Sequence, residues 1–421
     1  VFERIFVPQE FRDAVSDRAW LAALLDVEAA LARAEADAGV IPADAAAAIV
    51  DACDADRFDP AELADAGQAA GNPVEPLVRA LADAAGDEAG GYVHWGATSQ
   101  DILDTAAMLV ARNVLGLLLE STSVVAAECA RLADAHRSTV LAGRTLLTQA
   151  VPTTFGAKAG GWLVAILEAR RGLARIRNDG LAVQLGGAAG TLAALDAEGL
   201  EVLRRFAGAL ELHEPVVPWH TNRTRIAELG SALAVAAGSL AKIGLDVALL
   251  GQTEVGEVRS SEGGASSTMP QKQNPVGSVL AIACARQVSA HASTLIAALP
   301  QEHERGLGGW HAEWPALSAA LAFTGGAAAG ARRALEELEV DPERMRANLD
   351  GLAMSERASY LLAERLGRRG AYEAVAEAAS SGRPLAEALD LEPADLEPSS
   401  YLGSADDFVD RALAAYREEP A

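Results

Sequence analysis

Aromatic side chains are scarce in this sequence, at 5% of 421 residues, although half of the chain is hydrophobic. Ala, Leu and Val therefore carry the apolar content. Ala and Leu favour helix, whereas strands draw on β-branched and aromatic residues. Basic residues are also short, 35 Lys and Arg against 59 Asp and Glu, for a net charge of −24. No basic run is present to track a phosphate backbone, which argues against nucleic acid as a partner. The three cysteines, Cys53, Cys129 and Cys284, are too few and too widely spaced for a disulfide framework or a zinc ligand set. They read as small buried hydrophobes in a reducing, cytoplasmic compartment. HExxH, paired-cysteine and G-x-S-x-G patterns are all missing, so neither a metal, nor another cofactor, nor a serine-hydrolase triad is expected. The opening VFERIFVPQEF carries charges and a proline, unlike a secretory leader.

Long apolar-periodic stretches are what the chain has in quantity. Leu21, Leu24, Leu25, Val27, Ala30 and Leu31 recur at helical spacing between Arg12 and Ala38. Further long helices are expected at about 102–135, 152–180, 222–256, 276–299 and 310–338, and strand signals are weak throughout. The segments 229–252 and 276–299 approach a membrane span, but Lys242, Asp246, Arg286 and His291 interrupt them. Helices this long and this poor in charge must bury most of their circumference, which predicts a bundle completed by partner subunits. The expected architecture is all-α, in three helical domains: residues 1–101, a central long-helix domain 102–340, and a smaller helical domain 341–421.

Four polar segments interrupt the apolar runs. In 261–275, SEGGASSTMPQKQNP, two glycines precede hydroxyls, a lysine and an amide, a set able to clamp a carboxylate or serve simply as a linker. In 94–101, HWGATSQD, Thr98, Ser99 or Asp101 can cap the following helix, or Thr98 and Ser99 can meet an anion there. In 143–156, GRTLLTQAVPTTFG, donors Thr145, Thr148 and Gln149 precede a helix start led by Pro152. In 300–314, PQEHERGLGGWHAEW, His303, Arg305 and His311 lie near three acids, as a site or as solvated charge. The run Gly186–Gly190 lacks the lysine and the preceding strand of a phosphate loop.

The stretch ASSTMPQKQNP resembles the hallmark loop of the fumarase/aspartase superfamily, with Ala265 in place of its first glycine. Within that superfamily, HWGATSQD, GRTLLTQAVPTTFG, QLGGAAGTLAAL, PWHTNRTRIAE and QEHERGLGGWHAEW are similar to the carboxymuconate cycloisomerases. The resemblance spans nearly the whole chain. It implies a homotetramer with active sites shared between three subunits, acting on a small polycarboxylate without cofactor or metal. The implied reaction interconverts 3-carboxy-cis,cis-muconate and a carboxymuconolactone through an enediolate. The alternative is β-elimination releasing fumarate from a substituted succinate of adenylosuccinate or nitrosuccinate type.

Carried over by position, Ser266 is the proton-transfer serine, with Lys272 and Asn274 stabilising the enediolate. His94, Thr98, Ser99, Thr145, Gln149, Ser267, Met269 and Arg305 fall at substrate-binding positions. Leu146 and Gln149 stand where relatives place a histidine. An amide cannot exchange a proton at neutral pH, which leaves the second acid/base open.

Overall fold

The computed structural model describes residues 2–260, 264–265, 268–269, 271–336 and 338–419. Its described residues fold as an all-helical protein with three two-stranded ladders. The long helices are Asp17–Asp37, Ser99–Ala135, Phe155–Arg175, Thr224–Leu250, Val276–Ala297, Gly309–Leu335 and Ser355–Ser380. Local chemistry sets their starts. The Ser16 hydroxyl accepts from Ala19 N at the first of them, and Asn72 Oδ1 caps Val74–Ala85 by accepting from Val74 N.

By compactness the residues fall into two units, one comprising 1–121, 170–238 and 283–329, the other 122–169, 239–282 and 330–421. The core of the first includes Phe11, Leu25, Leu31, Ile49, Leu77, Leu81, Ile102, Met108, Leu115 and Phe206, all essentially sealed from solvent. Each such side chain contributes about 1.5–3 kcal/mol of transfer free energy. In the second unit, Phe155 meets His136 and Trp162 edge-on, and a separate cluster joins Leu362, Val375, Leu385 and Leu389. Two glycines there let helix backbones touch. A Cβ on Gly277 would lie 2.6 Å from Ala334 N, and one on Gly330 would lie 2.5 Å from Ala281 N.

Three helices, Ser99–Ala135, Thr224–Leu250 and Val276–Ala297, are long and apolar enough to cross a membrane by length and composition. Within this one chain, 67%, 50% and 33% of their apolar windows are buried. They also carry acids that are already bonded: Asp246 accepts from Trp162 Nε1 at 2.7 Å, and Asp104 from Trp310 Nε1 at 2.9 Å. All three cysteines are free thiols, Cys129 and Cys284 buried and Cys53 half-buried, and burial pushes each thiol up to about 12.

Two elements depart from the sequence expectation. Residues 140–154 form an antiparallel hairpin, Val140–Thr145 with Thr148–Thr154, so Pro152 sits in a strand and the helix begins at Phe155. Pro152 opposes Ala142 beside a register irregularity, where the strand tolerates its missing N–H. The helix expected to reach 338 ends at Leu335, and Leu338–Val340 pairs instead with Val258–Ser260.

Glu35 is 1% exposed, and its Oε1 has no hydrogen-bond partner among the described residues. Burial, reinforced by the charge of Glu28, pushes its carboxyl up to about 9. The folded state thus holds a proton that the unfolded chain releases at lower pH, so this group costs stability progressively as pH rises from about 4.5 towards about 9. Glu35→Gln is expected to melt above the parent at pH 8.5, with the gap narrowing towards pH 5. A gap independent of pH in thermal melts would show that Glu35 carries no such proton.

Candidate active site

In the first unit, residues 94–101 run from a left-handed turn, His94 at φ 60° and Gly96 at φ 70°, into the helix beginning at Ser99. Asp101 sits in the third position of that helix, fully buried. Its Oδ2 accepts from Thr98 N at 3.0 Å, the carboxylate half of a capping box. The same carboxylate accepts from Gly186 N at 3.0 Å and Gly187 N at 2.9 Å, and His220 Nε2 lies 2.6 Å from its Oδ1. Gly187, at φ 67°, is required there: a Cβ would press to 2.8 Å from the Gly96 carbonyl oxygen.

One helical turn on, Asp104 accepts from both Nη atoms of Arg223, at 2.8 and 2.9 Å, and from Gln100 Nε2 at 3.1 Å. Arg223 has no exposed surface and also donates to Glu313, Nη2 to Oε2 at 2.6 Å and Nε to Oε1 at 3.0 Å. Burial pushes the Glu313 carboxyl up, Arg223 opposes this, and the charge of Asp104 adds to it. One guanidinium thus links the 94–104 segment, the 219–223 turn and the start of the Gly309–Leu335 helix.

Arg305 joins this assembly. Its Nη1 donates to Gln100 Oε1 at 3.0 Å, and its Nη2 donates to the carbonyls of Gly187 and, at 3.2 Å, Ala188. All three acceptors are neutral, so no carboxylate is hydrogen-bonded to the half-buried cation among the described residues. Burial lowers its pKa, with Asp101 and Asp104 acting the other way. His303 and His311 are exposed and outside this network. The hydroxyls of Thr98 and Ser99, half-buried, have no hydrogen bond among the described residues. His94, Thr98, Ser99 and Arg305 therefore belong to one framework.

The second unit holds the other set. The hairpin turns at Leu146 and Leu147, both at positive φ, 52° and 64°, and 99% and 80% exposed. Such turns suit Asn and Gly, so these two leucines are held in a strained and exposed conformation. Thr145 is exposed beside it. Gln149, also on the hairpin, spends both ends of its amide inside the unit: Nε2 donates to Asn348 O at 2.7 Å, and Oε1 accepts from Asp350 N at 3.0 Å. Arg144 grips the fully buried Glu257 through two bonds of 2.9 and 2.6 Å, and Asn348 Nδ2 adds a third at 2.9 Å. In the 261–275 segment, Gln273–Asn274 pairs with Gly264–Ala265, Lys272 is exposed and donates its N–H to Met269 O at 3.0 Å, and Met269 is 47% exposed. Ser266 and Ser267 lie outside the described residues.

Sequence reasoning singled out Asp101 only as a possible cap and gave no role to Asp104, His220, Arg223, Glu257 and Glu313. A signal was available for some of them, because Asp101 and Asp104 stand in the first turns of an apolar helix where a lone charge is costly.

A family model described as "Lyase" matches residues 7–290 of this chain. The 3-carboxy-cis,cis-muconate cycloisomerase of Bradyrhizobium diazoefficiens is 46% identical over 432 residues, covering 96% of this chain and 95% of that protein. The chain belongs to the fumarase/aspartase superfamily of lyases. Nitrosuccinate lyase of Streptomyces davaonensis is 45% identical, covering 95% of this chain and 91% of that one. The crystal structure of the 3-carboxy-cis,cis-muconate lactonizing enzyme from Pseudomonas putida superposes with a TM-score of 0.91 at 42% identity, covering 99% of each chain. As a superfamily lyase, the chain thus combines a shared helical scaffold with a polar framework built largely from 94–104, 184–188, 219–223 and 301–313.

Removing the central cation from that framework leaves two buried carboxylates facing each other. Arg223→Leu is therefore expected to lose roughly 3–5 kcal/mol of stability in urea unfolding. A loss below about 1 kcal/mol would mean that the framework is not held by this residue.

Proposed function

We propose that this protein interconverts 3-carboxy-cis,cis-muconate and a carboxymuconolactone. The observation that carries this reading is near-full-length identity of 46% to a cycloisomerase, joined to an Arg305 whose bonds go only to neutral acceptors. In the lactonising direction a substrate carboxylate oxygen bonds to one alkene carbon. The displaced π electrons pass to the neighbouring carbon and into its carboxylate as an enediolate, and a proton is then delivered to that carbon. Ser266 is the proposed proton-transfer group: its hydroxyl gives up that proton in lactonisation, its alkoxide takes it back in the reverse direction, and the loop must close over substrate to favour the alkoxide. Lys272 and Asn274 would hold the enediolate charge, with Ser267 and Met269 beside them. His94, Thr98, Ser99 and Arg305 would bind the substrate carboxylates, and Thr145 would line the site; Gln149, with its amide committed to residues 348–350, would line it through its stem.

The site is proposed to assemble from several copies of the chain, a homotetramer in the cytoplasm. Support comes from the strained, exposed Leu146–Leu147 tip and from apolar helix faces that one chain leaves uncovered. The partition into 1–101, 102–340 and 341–421 is kept as the domain organisation within that assembly. A second reading, elimination from a substituted succinate, is supported by the 45% identity to nitrosuccinate lyase.

Absorbance assays with 3-carboxy-cis,cis-muconate and with nitrosuccinate distinguish the two. Turnover of the first supports the cycloisomerase; turnover of nitrosuccinate alone transfers the assignment, and turnover of neither removes it. Ser266→Ala is expected to lower kcat about 10²–10⁴-fold while leaving the oligomer intact in size-exclusion chromatography. A variant retaining most of its activity would take Ser266 out of the reaction.

A further inference from the structure

Glu28 lies in the Asp17–Asp37 helix between Val27 and Ala29, and it is 1% exposed. An acid in such a place is costly unless it is bonded. Its partner is the imidazole of His94, whose Nδ1 lies 2.7 Å from Glu28 Oε1. Nothing on the sequence connects the two, which are 66 residues apart. His94 is held there at positive φ, a conformation a non-glycine residue keeps only when its surroundings enforce it.

We propose that Glu28 is a positioning residue that fixes the ring of His94 and keeps it cationic, so that the 94–99 loop offers an imidazolium to a substrate carboxylate. A carboxylate on Nδ1 sets which ring nitrogen bears that proton and leaves Nε2 for the substrate, the arrangement by which second-layer acids orient histidines elsewhere. Nε2 has no partner among the described residues.

The surrounding charges agree with this assignment. Burial, the largest influence, pulls the His94 pKa down, but the charge and hydrogen bond of Glu28 and the charge of Asp101 outweigh it and raise the value. Glu35 and Cys53 are the other titratable groups coupled to Glu28, and neither brings a positive charge. His94 is thus protonated below its raised pKa, and the cation is lost as pH climbs through that value. The His220–Asp101 pair is no substitute, because its imidazole is 4% exposed and its Nε2 is already bonded.

This proposal rests on the functional reading above for its substrate, but its first test needs none. The full-length protein, labelled at histidine Cε1, has seven histidines to resolve, and His94→Gln assigns the signal. In Glu28→Gln, which keeps the shape and loses the charge, the His94 titration midpoint is expected to fall by about one unit, a tenfold loss of proton affinity. Glu28→Asp should restore part of it. An unchanged midpoint in a Glu28→Gln protein with parental circular dichroism overturns the proposal. In the assay with 3-carboxy-cis,cis-muconate, the rise of KM at alkaline pH should begin at lower pH in Glu28→Gln, with kcat less affected. A shifted midpoint with an unshifted KM profile also overturns it, whereas a shifted midpoint in a protein that turns over no carboxymuconate counts against the substrate and leaves the Glu28–His94 device standing.

Discussion

The Arg223 guanidinium, buried between Asp104 and Glu313, is the constraint on which the first unit depends. Two acids and one cation without solvent leave little freedom, since each bond lost exposes a charge that nothing else neutralises. Because Asp104 lies one turn beyond Asp101, the geometry set by Arg223 is transmitted along a rigid helix to the capping carboxylate. Asp101 in turn holds Thr98 N, the amides of Gly186 and Gly187, and His220 Nε2, so three loops distant in sequence share one anchor. Arg305 reaches its position by resting on the carbonyls those amides help to fix. Stability and the placement of Arg305 therefore depend on the same network.

The second unit solves a similar problem differently. Glu257 is as buried as Asp101, but Arg144 and Asn348 supply its bonds, and these tie the hairpin to the segment around 348. Gln149 shows how such ties redirect a residue. At a position suited to acid/base chemistry it instead splints residues 348 and 350, which is work an amide does well and a histidine does poorly.

Much of this was legible beforehand. The helical class followed from Ala and Leu richness, and six of the seven long helices emerged within six residues of their expected bounds because their periodicity is sustained, whereas Ser355–Ser380 was not anticipated. The 94–101, 300–314 and 143–156 segments stood out as candidates because polar residues interrupt apolar runs. What could not be read was pairing across distance. Strand 148–154 was mistaken for a helix start because Pro152 suits a first turn, and only its partner strand decides otherwise. Arg223 was not singled out, since burial of a cation depends on acids 119 and 90 residues away. Glu28 gave a weaker hint, an acid on the apolar stripe of an amphipathic helix, but no spacing rule joins it to His94.

The leucines at the tip of the 140–154 hairpin have an implication for engineering. Turn residues chosen for comfort, such as Asn-Gly, would relax the backbone and improve the solubility of an isolated chain. In the assembly proposed above, stabilisation by that route would trade away the contact assigned to the greasy tip, so a variant selected only for thermal robustness would drift towards a well-behaved isolated protomer.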